Sequence, residues 1–348
     1  MRIITRSGLI RIAIFIPSLL LLSIGMGAYM IRMPGKSYND ELPPLTQIEK
    51  SSSDQLEQDL KILGKDIGER NVFNPTKLNE AAIFLENSFA KAGYKPNRQT
   101  FKVLAENVSN IEVEIKGVGK PEEIVIVGAH YDSILGSPGA NDNGSGAVAI
   151  LALSRSFYGK KMQRTLRFVE FVNEEPPFFQ EYEEKGMGSW EYARRCRTKG
   201  ENIVAMLSLE TIGYFSDKPG SQKYPPPFNF FYPTTGNFIG FVGNISSRKL
   251  TRQAIGIFRN TCKFPSQGVA TFGFIPGIGW SDHWSFWKEG YPAIMITDTA
   301  PYRYPYYHTN KDTIEKVDYD RLARVLVGLE KVIANLVTVS DYPQPIKA

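Results

Sequence analysis

The chain has 348 residues, 42% of them apolar and 22% charged, proportions that exclude wholesale disorder, collagen and a continuous coiled coil. Its formal charge is +5, but Arg2, Arg6, Arg11 and Arg32, with no acid among the first 33 residues, carry +4 of it; the nearly neutral remainder excludes a nucleic-acid footprint. Two cysteines, Cys196 and Cys262, are too few for a disulfide framework and form no CxxC knuckle, so they either pair with each other or stand as isolated, partly buried thiols.

From Ile12 to Ile31 runs a stretch of 20 residues without a charge, enough for a helix to cross a hydrocarbon core of roughly 30 Å. Pro17 inside it is tolerated in a membrane helix. Three arginines precede the stretch and one follows, so the positive-inside rule predicts a cytoplasmic amino terminus, with everything beyond about residue 34 outside. Gly25-Met26-Gly27-Ala28 offers small residues, as near a signal-peptidase site, but no A-x-A is present and the run exceeds an h-region of roughly 7–15 residues. Residues 1–33 are therefore expected to be an uncleaved anchor, with secretion the outcome if the segment is removed.

Residues 34–49, Pro-bounded and polar, read as a linker. Gln55–Leu63 and Lys77–Ala92 carry apolar residues at helical spacing (Leu78, Ala81, Ala82, Leu85 and Phe89 in the second). Strands are predicted at Asn110–Ile115, Ile124–Gly128, Leu166–Val172, Ile203–Leu209, Phe238–Val242 and Ala293–Thr297. Helices are predicted at Val148–Phe157, Trp190–Arg197, Leu250–Phe258, His283–Glu289 and Tyr319–Val337. The alternation predicts an α/β three-layer α/β/α sandwich around a mixed, largely parallel sheet, and runs such as Ile124-Val125-Ile126-Val127 suit strands covered on both faces.

In such sheets a site forms beyond the carboxyl ends of the strands, and the chemistry-bearing residues fall there. His130 and Asp132 follow the Ile124–Gly128 run, and Asp142 lies 12 residues past His130. Glu174-Glu175 follow Leu166–Val172, Glu210 follows Ile203–Leu209, and His308 lies beyond Ala293–Thr297. A lone histidine after a strand is more often structural, and a Glu-Glu pair usually decorates a loop; recurrence at five equivalent topological positions carries the reading. Imidazoles with carboxylates form a nitrogen/oxygen ligand set that suits zinc or a neighbouring divalent metal, in numbers sufficient for two ions. The Asn143-Gly144-Ser145 sequon reads as a chance match.

Gly128-Ala-His-Tyr-Asp-Ser, Gly139-Ala-Asn-Asp-Asn-Gly-Ser-Gly, Asn173-Glu-Glu, Ser281-Asp-His and Tyr307-His-Thr resemble the motif series of the two-zinc aminopeptidase family, of the bacterial leucyl aminopeptidase and aminopeptidase Y type. Glutamate carboxypeptidase and the glutaminyl cyclases are its more distant relatives. The resemblance spans roughly residues 50–340, which it makes one zinc peptidase catalytic domain. It implies that Asp142 bridges two zinc ions, that His130 and Glu210 complete one ligand set, and that Glu175 and His308 complete the other. It further implies that Glu174 is the general base toward a metal-bound water, that Asp132 orients His130 from behind, and that the Asp142–Asn143 peptide is cis.

The implied activity is release of amino-terminal residues from peptides with a free amino terminus, by a membrane-anchored, extracytoplasmic enzyme. Rival expectations are a one-zinc glutaminyl cyclase, and a carboxypeptidase or dipeptidase with Arg303 receiving the substrate carboxylate. A non-catalytic ectodomain should have lost ligands, and here each is present. Position 210 departs from the family pattern, which more often has Asp there. Pro176–Lys185, acidic and aromatic, reads equally as a pocket border or a solvated loop. His283 is expected to be structural, with Ser281 or Asp282 capping its helix. Tyr302, Arg303, Tyr304, Tyr306 and Tyr307 crowd the approach to His308 and supply candidate donors to substrate.

Overall fold

The structure is a computed structural model that describes residues 6–180 and 186–338, with side chains from residue 14 onward. Arg2, the loop residues Glu181–Lys185 and the last two residues of the 50–340 segment lie outside the described residues. In chain order the elements are α1 (Arg6–Ile31), α2 (Gln47–Leu60) with a π-helical continuation (Lys61–Ile67), α3 (Pro75–Lys91), β1 (Asn97–Val103), β2 (Glu106–Ile115), β3 (Lys120–His130), α4 (Gly146–Phe157), β4 (Arg164–Phe171), α5 (Gly188–Thr198), β5 (Asn202–Glu210), β6 (Ile239–Asn244), α6 (Arg248–Thr261), β7 (Ser266–Thr271), α7 (His283–Lys288), β8 (Ala293–Thr297), α8 (Ala300–Arg303) and α9 (Tyr319–Thr338).

The strands form one eight-stranded sheet in the order β1-β2-β4-β3-β5-β8-β6-β7. Its centre, β4-β3-β5-β8, is parallel, and antiparallel pairings flank it. Side chains alternate between the two faces. Val125, Val127, Leu166, Phe168, Leu207 and Leu209 join the core beneath α4 and α9. Ile124, Ile126, Val169, Phe171 and Met206 join the core beneath α5 and α7. Both layers are needed because these strands bury both faces. Phe171 is fully buried between the rings of Tyr192 and Phe286, and its truncation to Ala costs about 3–5 kcal/mol.

Two strands go beyond the sequence expectation, and both are edges. β1 is polar (Asn-Arg-Gln-Thr-Phe-Lys-Val) and mostly half-exposed, and β7 carries Ser, Gln and Gly, so neither shows an apolar run. The first helix of the domain starts at Gln47, eight residues before the expected Gln55. Thr46 and Glu49 close a reciprocal capping box there, Thr46 Oγ1 accepting the Glu49 N–H at 3.2 Å and Glu49 Oε2 the Thr46 N–H at 2.7 Å.

The polar stretch after α1 is bound to the domain rather than hanging free. Arg259 of α6 donates to the carbonyls of Pro34 (3.1 Å) and Gly35 (3.2 Å), Ser37 Oγ accepts from the Ser266 N–H (2.9 Å), and Arg324 of α9 donates to Pro43 O. An irregular segment has carbonyls to satisfy, and guanidinium forks on two neighbouring helices supply the donors. In α1 itself, Ile14, Phe15, Ile16, Leu19, Leu20, Leu21, Leu22 and Ile24 are all exposed. Both cysteines are free, Cys196 buried and Cys262 partly so.

Candidate metal centre

The parallel pairing brings the carboxyl ends of β4, β3, β5 and β8 to one edge, and each delivers a candidate residue. His130 is the last residue of β3 and Glu210 the last of β5; Glu174 and Glu175 follow β4, and His308 follows β8 and α8. Asp142 comes from the loop between β3 and α4. The five expected ligands and the expected base thus converge, and Asp142, Asn143, Glu174, Glu175 and Glu210 are all buried.

Asp142 lies between the two imidazoles: Oδ1 is 3.6 Å from His130 Nε2 and Oδ2 is 3.1 Å from His308 Nε2. Glu210 Oε2 is 3.3 Å and Glu174 Oε2 3.8 Å from His130 Nε2, while Glu175 Oε2 is 3.3 Å from His308 Nε2. Two donor groups result, His130 with Glu174 and Glu210, and Asp142 with Glu175 and His308, each with its ligand atoms mutually within 4.8 Å. Among the described residues, buried His130 Nε2, Asp142 Oδ2 and Glu175 Oε1 have no hydrogen-bond partner. Buried polar atoms are normally paired, so orphaned N and O donors aimed at common centres fit divalent cations. Electrostatics agree. Burial raises the pKa of Glu174 well above the carboxylate range, and that of Glu175 to about 7 with Asp142 adding to the rise. Burial opposes protonation of His130, yet Glu174 and Glu210 outweigh it and hold that pKa well above the ordinary value. These are the responses of a carboxylate-rich cluster that calls for positive charge.

The supports of these ligands are built from distant segments. Asp132 Oδ1 lies 3.4 Å from His130 Nδ1 and accepts the Glu174 N–H at 3.1 Å, while Oδ2 accepts the Glu175 N–H at 3.2 Å. One carboxylate therefore fixes both the imidazole and the Glu-Glu backbone. Asp312, which sequence reasoning missed, accepts the N–H groups of Asn141 (2.8 Å) and Asp142 (3.0 Å) and the Tyr304 hydroxyl (2.7 Å). It stands four residues after His308 in a polar loop, so the loop that presents one ligand also holds the other. Arg70, fully buried, donates to the carbonyls of Gly68, Tyr131, Pro138 and Gly139, bracing the loop from His130 to Asp142.

The Asp142–Asn143 peptide is cis, as the resemblance implies. Asn143 is fully buried; its Nδ2 donates to Leu209 O (2.7 Å) and its Oδ1 accepts from Gly146 and Thr211, so the sequon is not presented to solvent. A Cβ on Gly146 would meet Asn143 Oδ1 at 2.3 Å and Leu209 O at 2.6 Å, which confines that position to glycine. Asn173 (φ 57°), Thr211 (φ 43°) and His308 (φ 56°) adopt left-handed backbone at or beside site residues. That conformation is uncommon outside glycine and clusters at functional sites.

Two sequence expectations are corrected. Ser281 and Asp282 make no capping hydrogen bond to α7; Ser281 donates instead to Glu210 Oε2 (2.7 Å) and lies 2.9 Å from Ser208 Oγ, because the buried carboxylate is a stronger acceptor for that hydroxyl than a helix end. Arg303 does not face the centre. It is buried against Phe238, donating to Gln222 Oε1 (2.7 Å) and Phe238 O (2.8 Å), and is a strut of the fold. His283 belongs to neither donor group: burial lowers its pKa to about 4 and Nε2 lies 2.8 Å from Ile278 O. Of the aromatic approach, Tyr307 stacks on His308 with centroids 3.8 Å apart, while Tyr304 is tied to Asp312. Gln180, the last described residue of the Pro176–Lys185 loop before 181, donates to Gly279 O (2.7 Å).

Glu210 and Tyr307 also line a cleft of about 780 Å³ including its open mouth. Its walls are apolar, with Phe228, Val242, Val269, Ile278 and Met295 packed as one cluster. Among the described residues, no Lys, Arg or His lines it.

The sequence profile of peptidase family M28 matches residues 110–333. YfbL of Escherichia coli is 34% identical over 82% of this chain and 88% of its own. A probable leucine aminopeptidase of Trichophyton verrucosum is 28% identical over 86% of this chain and 78% of its own. Among solved structures, BSAP, a zinc aminopeptidase from Bacillus subtilis, superposes with a TM-score of 0.65 at 14% identity, over 88% of this chain and 98% of its own; at that identity the likeness is one of fold.

Proposed function

This chain belongs to peptidase family M28, and from that premise we propose that it is a zinc aminopeptidase whose segment 50–340 removes the first residue from peptides with a free amino terminus. Its two donor groups would hold two zinc ions, His130 and Glu210 on one side and Glu175 and His308 on the other, with Asp142 between them. Divalent ions held there supply Lewis-acid polarisation of the scissile carbonyl and a lowered pKa for water.

The chain's own groups do the rest. Glu174, within 3.8 Å of His130 Nε2 but adjacent to the ligand Glu175, takes the proton of the attacking water on its carboxylate and returns it to the leaving amine. Asp132 keeps His130 and the Glu174 backbone in register. Tyr307 retains its phenolic proton, because burial and the carboxylates Asp142, Glu175 and Glu210 all raise its pKa. It is thus a neutral donor for the developing oxyanion.

The observation that carries the amino-end reading is the charge around the cleft. Asp132, Asp142, Glu174, Glu175 and Glu210 leave the centre net negative even with two divalent ions, and the cleft beside it has no cationic side chain among the described residues. Such a field attracts a substrate ammonium and repels a terminal carboxylate, which favours aminopeptidase over carboxypeptidase. We further propose that residues 1–33 anchor the enzyme in a membrane, with the catalytic domain on the extracytoplasmic side. The test is a panel of aminoacyl amides and peptides with free and acetylated amino termini, run beside metal analysis. Release only from free termini by protein holding two zinc ions supports the proposal. One zinc with cyclisation of an amino-terminal Gln, or cleavage of blocked peptides from the carboxyl end, overturns it.

A further inference from the structure

The exit of α1 from the domain is surrounded by cations and rings that the catalytic reading does not use. Arg248, in the first turn of α6, stacks over the Tyr29 ring at 3.7 Å and donates to Tyr29 O at 2.8 Å. One turn on, Arg252 donates to Arg32 O. Lys249, between them, and Arg32 itself are exposed. No ion pair joins Arg32, Arg248 or Arg252 to a carboxylate among the described residues. Arg252 has its pKa lowered by partial burial and by the like charges of Arg248 and Arg32. Cations held together without an acid are waiting for an anion.

A second feature adjoins the first. Met30 is buried against β7, its Sδ accepting the Thr271 hydroxyl at 3.2 Å. The residues directly after Thr271 present a stacked pair of rings, Phe272 and Phe274, 5.4 Å apart and 43% and 83% exposed. Exposed aromatic rings and arginines at the end of an apolar helix match the interfacial belt of a bilayer, where ring bodies reach the acyl boundary and cations reach phosphates.

We propose that this face, Tyr29, Arg32, Arg248, Lys249 and Arg252 with the Phe272–Phe274 pair, docks the catalytic domain onto the acidic phospholipid surface of the membrane that α1 crosses. The inference rests on the anchor reading above. The binding element is the net negative headgroup of an acidic phospholipid, whose phosphate no choline cation neutralises, held by guanidinium forks, and the rings supply the apolar contact. The rim of the catalytic cleft continues from this loop through Pro276, Gly277 and Ile278, so docking holds the cleft beside the bilayer and favours peptide ends presented there.

The full-length chain, extracted in a zwitterionic detergent, is titrated with phosphatidylglycerol and separately with phosphatidylcholine, and retained lipid is read by native mass spectrometry. Phosphatidylglycerol should bind at least tenfold more tightly. Replacing both arginines (Arg248→Gln with Arg252→Gln) should weaken it roughly 30-fold, at about fivefold per charge. Arg248→Lys with Arg252→Lys should keep most of the preference, and hydrolysis of a soluble aminoacyl amide should be the same in all three proteins. Equal retention of the two lipids by the wild-type chain overturns docking whatever the variants do, as does a glutamine variant that keeps full preference. A membrane fraction whose intact mass lacks residues 1–33 overturns the anchor reading and the docking with it, and is distinguished by that mass.

Discussion

Ser281 donates its hydroxyl to Glu210 Oε2 at 2.7 Å. Glu210 reaches the centre on one more methylene than the Asp common in this family, so it has a further rotor to immobilise, and Ser281 removes that freedom. Partners of metal ligands are worth about 10–100-fold in affinity. Ser281→Ala should therefore weaken zinc binding about tenfold in a chelator competition and restore turnover at saturating zinc. Unchanged zinc affinity would show that Glu210 needs no such support.

Glu174 and Glu175 are neighbours in sequence with different assignments, and isosteric replacement separates them. Glu174→Gln should keep the wild-type zinc content and melting temperature while kcat falls by about 10²–10⁴, the usual range for loss of a general base. Glu175→Gln should lose zinc from the His308 site. Metal content by mass spectrometry alongside kcat decides the matter; substantial turnover in Glu174→Gln would move the base elsewhere.

The convergence of these residues was legible in the sequence because His130, Glu174, Glu175 and Glu210 each stand at or just beyond the carboxyl end of an apolar strand, and a strand buried on both faces announces itself. Ile124–Val127 is such a run, and His130 could be placed at its end before any coordinates. β1 and β7 were not legible, since edge strands cover only part of their surface and tolerate Asn, Lys, Ser and Gly. Nor were Asp312 and Ser281 as supports: the hydrogen bonds that Asp312 accepts from the Asn141 and Asp142 N–H groups join residues 171 and 170 apart, and no local pattern encodes them. The docking of Pro34 to Pro44 escaped for the same reason, because its partners, Arg259 and Arg324, lie on helices remote in sequence.

Metal removal should reveal the charge the cluster carries. In the metal-free fold, burial raises the carboxyl pKa of Glu174, of Glu175 and Asp282 (each to about 7) and of Glu210. At His308, burial is outweighed by Asp142 and Glu175, which raise it to about 10. Folded protein therefore keeps protons that the unfolded chain has released, from the ordinary carboxylate range up to about 7 for Glu175 and Asp282 and from the ordinary histidine value to about 10 for His308, with Glu174 and Glu210 shifted in the same direction. Stability falls with rising pH wherever the folded state binds more protons. Metal-free protein should thus melt at least about 5 °C lower near pH 8.5 than near pH 6, and saturating zinc, which replaces those protons, should shrink the difference. A metal-free melting temperature that rises over that interval would contradict the sign.

The cleft beside Glu210 and Tyr307 should set which first residue is taken. Its walls, from Phe228, Val242, Val269, Ile278 and Met295, bury apolar surface, worth about 0.8 kcal/mol per methylene. A leucyl amide, three carbons longer than an alanyl amide, should then gain about 2.4 kcal/mol, or roughly 50-fold in kcat/KM. An aspartyl amide should be hydrolysed least, because its side chain would enter an apolar cleft at the edge of an already negative centre. Val242→Phe fills part of the cleft and should turn the ratio toward alanyl substrates while leaving zinc content unchanged. If the Leu-to-Ala ratio of kcat/KM stays constant in that variant, the first side chain of the substrate lies somewhere other than this cleft.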